Sequence, residues 1–125
     1  MVLGDPVANV ASFKAEARYQ SLCAVCERPG LGWHAHHVVY EQELRRLGMR
    51  GNELYDTRNA LRLCGVCHAA HHARSKIVKT RKLRDANIEY AFDVLGTRAG
   101  AYLRRRYDDS DSDPRITEHE FRLQA

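Results

Sequence analysis

No stretch of the chain approaches the roughly eighteen consecutive apolar residues that a membrane-spanning helix needs. Nor does a charged-then-apolar leader precede a small-residue cleavage site. The expectation is a soluble protein, not exported, whose cysteines stay reduced in a cytoplasm. No internal repeat is visible beyond two Cys-x-x-Cys knuckles, and 125 residues is the size of one domain. Acidic residues are scarce over residues 1–107, where 10 Asp and Glu face 18 Lys and Arg, a surplus of +8. Residues 108–125 reverse the sign, with six acids against two arginines. A basic body suits a phosphate backbone, since each neutralised phosphate releases counterions. Ordinary solvated charge explains the same surplus equally well.

What the chain does have is concentrated between Cys23 and His72. All four cysteines lie there, as Cys23/Cys26 and Cys64/Cys67, with six of the seven histidines. Two such pairs, 37 residues apart, supply the four thiolates of a tetrahedral structural Zn²⁺ site, which fills every coordination position and fastens the fold without activating water. Cys64-Gly65-Val66-Cys67-His68 also has the form of a c-type haem attachment string. That reading needs an export compartment and leaves Cys23 and Cys26 without a role, so zinc is preferred.

The local patterns predict an α+β domain. Residues 1–11 read as a lead-in, and Ser12 as the cap of a short helix from Phe13 to about Ser21, with Phe13, Ala17 and Leu22 facing inward. Leu31 to Tyr40 is rich in strand formers, and in a strand His34 and His36 share one face while His37 points to the other. Glu41 to Leu47 reads as a two-turn helix with acids early and arginines late, closed by Gly48. Asn59 to Leu63 reads as a second strand. A helix follows from about Val66 to Ser75, on which His68 and His72 share a face, although His68 and His71 are also spaced to chelate. Further helices are expected over 77–107, one capped by Asn87 with Ile88, Ala91, Phe92 and Leu95 inward, another from Thr97 to Tyr107. The acidic segment 108–125 reads as a flexible spacer and tail that docks weakly or not at all.

With the cysteines assigned, His36 from a strand and His68 and His72 from a helix can form a second, open metal site whose free positions take water and phosphate oxygens. His37, beside His36 but on the other face, is then available as a general base.

The stretch from Cys23 to His72 resembles the HNH endonucleases, the ββα-metal or His-Me finger family. The resemblance rests on the first knuckle, His36-His37-Val38-Val39, Asn59-Ala60-Leu61 and Leu63-Cys64-Gly65-Val66-Cys67-His68. Asn59 stands nine residues before His68 and His68 four before His72, similar to the colicin-type DNase branch; the 21 residues between His37 and Asn59 exceed the gap in compact members. The resemblance implies a nuclease domain over 1–107 with its motif core at 23–75. It implies that His37 is the general base, that His36, His68 and His72 bind one catalytic divalent ion, and that Asn59 holds the connecting loop and so orients His37. It also implies hydrolysis of DNA to 5′-phosphate and 3′-hydroxyl ends, with the helix entering the minor groove. An all-imidazole site favours Mn²⁺, Ni²⁺, Co²⁺ or Zn²⁺ over oxygen-loving Mg²⁺. Relatives occur in phage genomes, restriction systems, mobile elements and toxins, so a bacterial or phage-infected cytoplasm is the expected setting, with other DNA-processing proteins as partners.

Arg74, Lys76, Lys79, Arg81 and Lys82, just past the helix, are the sequence's first candidates for phosphate contacts, and Arg104 to Arg106 the second. Two other readings use the same residues differently. A zinc-stapled DNA-binding module without catalysis needs the cysteines and the cations but not His37. A zinc module for protein interaction leaves the basic surplus unused.

Overall fold

Two five-residue strands, β1 (Trp33–His37) and β2 (Ala60–Cys64), pair antiparallel, with Trp33 opposite Cys64 and His37 opposite Ala60. A helix, α3 (Gly65–Ala70), leaves β2 directly and continues through one wider π turn over His71–Ser75, which Lys76 ends in a left-handed conformation. The fold is thus mixed α and β around a small two-stranded sheet. This computed structural model describes residues 8–30 and 32–124, with the side chains of Arg74 and Ser75 also outside the description. The expected lead-in over 1–7 lies outside the described residues.

Before the sheet comes α1 (Val10–Tyr19), capped by Asn9, whose side chain accepts the Ser12 amide at 2.8 Å. The helix thus starts earlier than the Ser12 cap predicts, because Asn9 is as good a cap and lies three residues upstream. Phe13 and Ala17 are buried as expected, while Leu22 is exposed, since Ser21 turns the chain with φ of 69° before the knuckle. From the end of α1, Gln20 lays its amide along the outer edge of β2. Its Oε1 accepts the Arg62 amide at 2.8 Å and its Nε2 donates to the Ala60 carbonyl at 3.1 Å. A side-chain amide here does for the β2 edge what a third strand would do.

The long β1–β2 connection is folded rather than loose. It holds α2 (Glu41–Arg46), with acids in its first turn and arginines in its last, and two short 3₁₀ turns at Gly51–Tyr55 and Thr57–Asn59. Leu44 and Leu54 anchor it in the core. Later in the chain, α4 (Asp85–Leu95) and α5 (Ala99–Arg106) supply Ile88, Ala91, Phe92, Leu95, Tyr102 and Leu103 to the same core. Asn87 sits at the third position of α4, not at its cap. Its Oδ1 accepts the Arg84 amide, and its Nδ2 reaches the Arg58 and Ala60 carbonyls at 2.8 and 3.1 Å, tying α4 to the start of β2.

The segment expected to be a flexible acidic tail is ordered. Asp108 bridges to Val78 and Thr80 through backbone hydrogen bonds of 3.0 and 2.9 Å. A final helix, α6 (Pro114–Gln124), buries Ile116 completely and stacks His119 on Phe92. The acids do not repel one another into solution because each has a use. Asp109 accepts from Thr80 and Arg104, Asp113 from the Arg115 amide and guanidinium, and Glu120 takes both Arg104 nitrogens at 2.7 and 2.9 Å. Among the described residues no helix is long and apolar enough to cross a membrane.

Candidate metal centres

The two knuckles meet. Strand pairing places Cys64 opposite Trp33, and the first knuckle is drawn onto β2 by a hydrogen bond from the Ala24 amide to the Arg62 carbonyl at 2.9 Å. The sulfurs of Cys23, Cys26, Cys64 and Cys67 all lie within 4.8 Å of one another, with Cys26 and Cys64 3.9 Å apart. Sulfurs about 2.3 Å from one tetrahedral ion are about 3.8 Å apart, so the four fit Zn²⁺. Burial pushes the Cys23 thiol up, but the amides of Cys64, Cys26 and Val25 outweigh it and hold it down to about 6. Beside the cluster lies Arg62, a buried guanidinium whose partners are the Arg18 and Gly30 carbonyls and the Trp33 ring. Among the described residues it has no carboxylate partner, and the four cysteines, which as thiolates on a divalent ion would carry a net charge of about −2, would supply the opposite charge nearby.

The alternation of β1 sends His34 and His36 toward α3 and His37 away from it. His36 Nδ1 lies 3.2 Å from His68 Nε2, and His72 Nε2 lies 3.0 Å from the same atom. Nitrogens each about 2.1 Å from one ion are about 3.0 Å apart at a right angle and about 3.4 Å apart at the tetrahedral angle, so both spacings fit a shared divalent ion. The three ligand atoms lie within 4.8 Å of one another.

Hydrogen bonding fixes the tautomer of His36. The Val38 carbonyl can only accept, so Tyr107 donates its hydroxyl proton there; the Tyr107 oxygen then accepts from His36 Nε2–H at 2.8 Å. That leaves the lone pair on Nδ1, the atom facing His68 and His72. Burial first, then the neighbouring imidazoles, drive the His36 pKa well below its usual range; His68 is brought down to about 4, and His72 is also lowered. All three are therefore neutral at pH 7, the form that binds metal. His68 Nδ1 meets His34 Nδ1 at 2.8 Å, so His34 orients His68 from behind.

His71 is not in the group. Its ring stacks on Tyr107 at 5.0 Å, and its Nε2 meets the Tyr40 hydroxyl at 2.9 Å. Four-residue spacing puts His72 on the exposed side with His68, whereas His71 turns into the core.

His37 packs on Phe13, with ring centroids 4.4 Å apart, and donates Nε2–H to the Leu54 carbonyl at 2.9 Å. Its Nδ1 therefore carries the lone pair. Burial lowers its pKa, partly opposed by that carbonyl. Asn59 is fully buried and clamps Val39 from both sides, with Oδ1 accepting the Val39 amide at 2.8 Å and Nδ2 donating to the Val39 carbonyl at 3.0 Å. The carbonyl that orients His37 comes from Leu54, on the first 3₁₀ turn, while Asn59 fixes the chain two residues beyond His37. A groove of about 340 Å³ is lined by His36, His37, His68 and His72 together with Tyr40 and Glu41.

The cations past the helix are dispersed. Arg81 pairs with Asp111 at 3.4 Å and Lys82 with Glu27 at 2.7 Å, while Lys76 donates to the Arg104 carbonyl at 3.2 Å. Lys79 bridges through its backbone to Asp108, and the Arg74 side chain lies outside the described residues. Sequence reasoning missed Tyr107, whose only signal is its place at the end of the helix expected from Thr97, and the Leu54 carbonyl, which as a backbone group leaves no trace in a sequence. No family model, curated protein or solved structure matches the chain.

Proposed function

We propose that the protein is a metal-dependent endonuclease of the HNH type that hydrolyses DNA phosphodiester bonds. The observation that carries this reading is the convergence of His36 Nδ1, His68 Nε2 and His72 Nε2 at an open groove that His37 also lines. A closed four-sulfur cluster and an open three-nitrogen one, each taking a residue from α3, divide the work between fastening and chemistry.

His36, His68 and His72 would hold a divalent ion, which when bound would supply Lewis acidity to the scissile phosphate. His37 does the proton work. Leu54 fixes its Nε2 as a donor, so Nδ1 is the atom that accepts a proton from an attacking water. Its lowered pKa keeps it in the basic form at and below neutral pH. Asn59 acts on the backbone that carries His37 and touches no reacting atom. The +8 surplus of residues 1–107 favours a polyanionic substrate.

A supercoiled-plasmid nicking assay across divalent ions, with metal content measured alongside, tests the reading. The wild-type protein is expected to nick with Mn²⁺, Co²⁺ or Ni²⁺ at least as fast as with Mg²⁺, and His37→Ala to fold and bind DNA but lose at least about 100-fold in rate, the lower range for general-base removal. Equal nicking by the two proteins sinks the assignment and leaves a DNA-binding module.

A further inference from the structure

The metal groove is the middle of a longer furrow. One neighbouring depression, of about 510 Å³, shares Ala35 and His37 with it and is edged by Lys14 and Arg18 of α1. The other, of about 340 Å³, shares Tyr40 and His72 and is edged by Lys76, Arg105 and Arg106. Five cations thus flank a line that passes over the imidazole group, and among the described residues the only carboxylate along it is Glu41. Among the described residues Lys14, Arg18, Arg105 and Arg106 have no ion-pair partner, and the one hydrogen bond of Lys76 goes to a carbonyl, which leaves its charge uncompensated. Arg106 is held over the Tyr40 ring at 5.0 Å with its Nε buried and unpartnered, so packing fixes it at the rim. Arg81 and Lys82, by contrast, already have acids, and neither they nor Lys79 line the furrow.

We propose that this furrow is the DNA track, with the phosphate backbone gripped by Lys14 and Arg18 at one end and by Lys76, Arg105 and Arg106 at the other, so that the phosphate between them lies over His36, His68 and His72. The inference rests on the reading of the protein as acting on DNA. It moves the contact surface away from the 79–82 run and onto α1 and the end of α5, elements far apart in sequence. Each cation that neutralises a phosphate adds about 0.9 to the slope of log affinity against log salt concentration, so five give a slope of about −4.5.

The test is fluorescence anisotropy of the zinc-loaded full chain with a labelled DNA duplex over a salt series, without added divalent ion. Lys14→Gln/Arg18→Gln and Arg105→Gln/Arg106→Gln are each expected to reduce the slope by about 1.8, and Lys79→Gln/Arg81→Gln by under about 0.5. Arg106 is packed between rings, so Lys76→Gln/Arg105→Gln, both exposed, gives the same reading if the first α5 pair fails to fold. Slopes unchanged in the furrow variants, a loss confined to the 79–81 pair, or no binding of the duplex by the wild-type chain overturns the proposal. Plasmid nicking measured in parallel separates the two claims. Expected slope losses without any nicking keep the track and remove the nuclease; nicking with the loss at 79–81 does the reverse.

Discussion

Replacing Asn59 isolates the clamp that holds Val39, two residues beyond His37. Its two hydrogen bonds go to the amide and carbonyl of Val39, and both residues are fully buried. In Asn59→Ala both Val39 groups lose their partner, and an unpaired buried backbone group costs about 1–3 kcal/mol. A water entering the small void recovers part of this, so the net loss is about 2–4 kcal/mol. With a urea dependence of about 1–3 kcal/mol per molar, the unfolding midpoint falls by roughly 1–2 M. Asn59→Asp supplies a control with a sign of its own. It keeps the acceptor for the Val39 amide but turns a second oxygen toward the Val39 carbonyl, so the ionised form is disfavoured and the folded-state pKa rises above the unfolded value of about 3.9. A group with a raised folded pKa is relatively stabilising at low pH, where its proton lets it donate to that carbonyl, and this contribution is lost as pH rises through the folded pKa. The deficit of Asn59→Asp against wild type at the same pH therefore shrinks from pH 7.5 toward pH 5, while that of Asn59→Ala stays constant. Urea unfolding of the zinc-loaded proteins at several pH values reads both. A loss below about 1 kcal/mol in Asn59→Ala, or matching pH behaviour of the two variants, refutes the clamp.

The remaining predictions concern the histidines and the sulfurs. His36 and His71 are almost fully buried with lowered pKa values, His71 at about 4, so the folded chain refuses protons that the unfolded chain takes up below its pKa of about 6.5. Stability is therefore lost as pH falls from 6.5 toward 4, by about 1 kcal/mol per histidine over the first unit, and a flat denaturant midpoint across that window contradicts it. Tyr107→Phe deprives His36 Nε2–H of its acceptor, and Co²⁺ or Ni²⁺ affinity at the imidazole group is expected to fall about 10-fold or more with the sulfur-bound zinc retained; titration calorimetry giving unchanged affinity defeats the orienting role. Cys64→Ala is expected to lose about one equivalent of zinc and its cooperative thermal transition, and a variant that keeps both shows that the cluster does not fasten the fold.

Spacing alone carried the sulfur site. Two pairs of Cys-x-x-Cys admit few arrangements, and a tetrahedral ion would select among them, so Cys23, Cys26, Cys64 and Cys67 group by spacing. Strand alternation likewise separated His36 from His37, and helical spacing grouped His68 with His72, because both periods are properties of the local backbone. The choice of His72 over His71 was another matter. It depends on Tyr107 and Tyr40 filling the place where His71 packs, and Tyr107 arrives from the far end of α5. The acidic tail departs from what its composition predicts for the same kind of reason. Composition sees a run of like charges, whereas the fold offers Arg104, Arg115 and Thr80 to receive them. The cations show it most plainly. Sequence density points to residues 74–82, but which cations keep a free charge beside the histidine-lined groove follows from where the acids of other segments come to rest. Local periodicity and ligand chemistry are written into neighbouring residues; the pairing of distant side chains is settled only when the chain closes on itself.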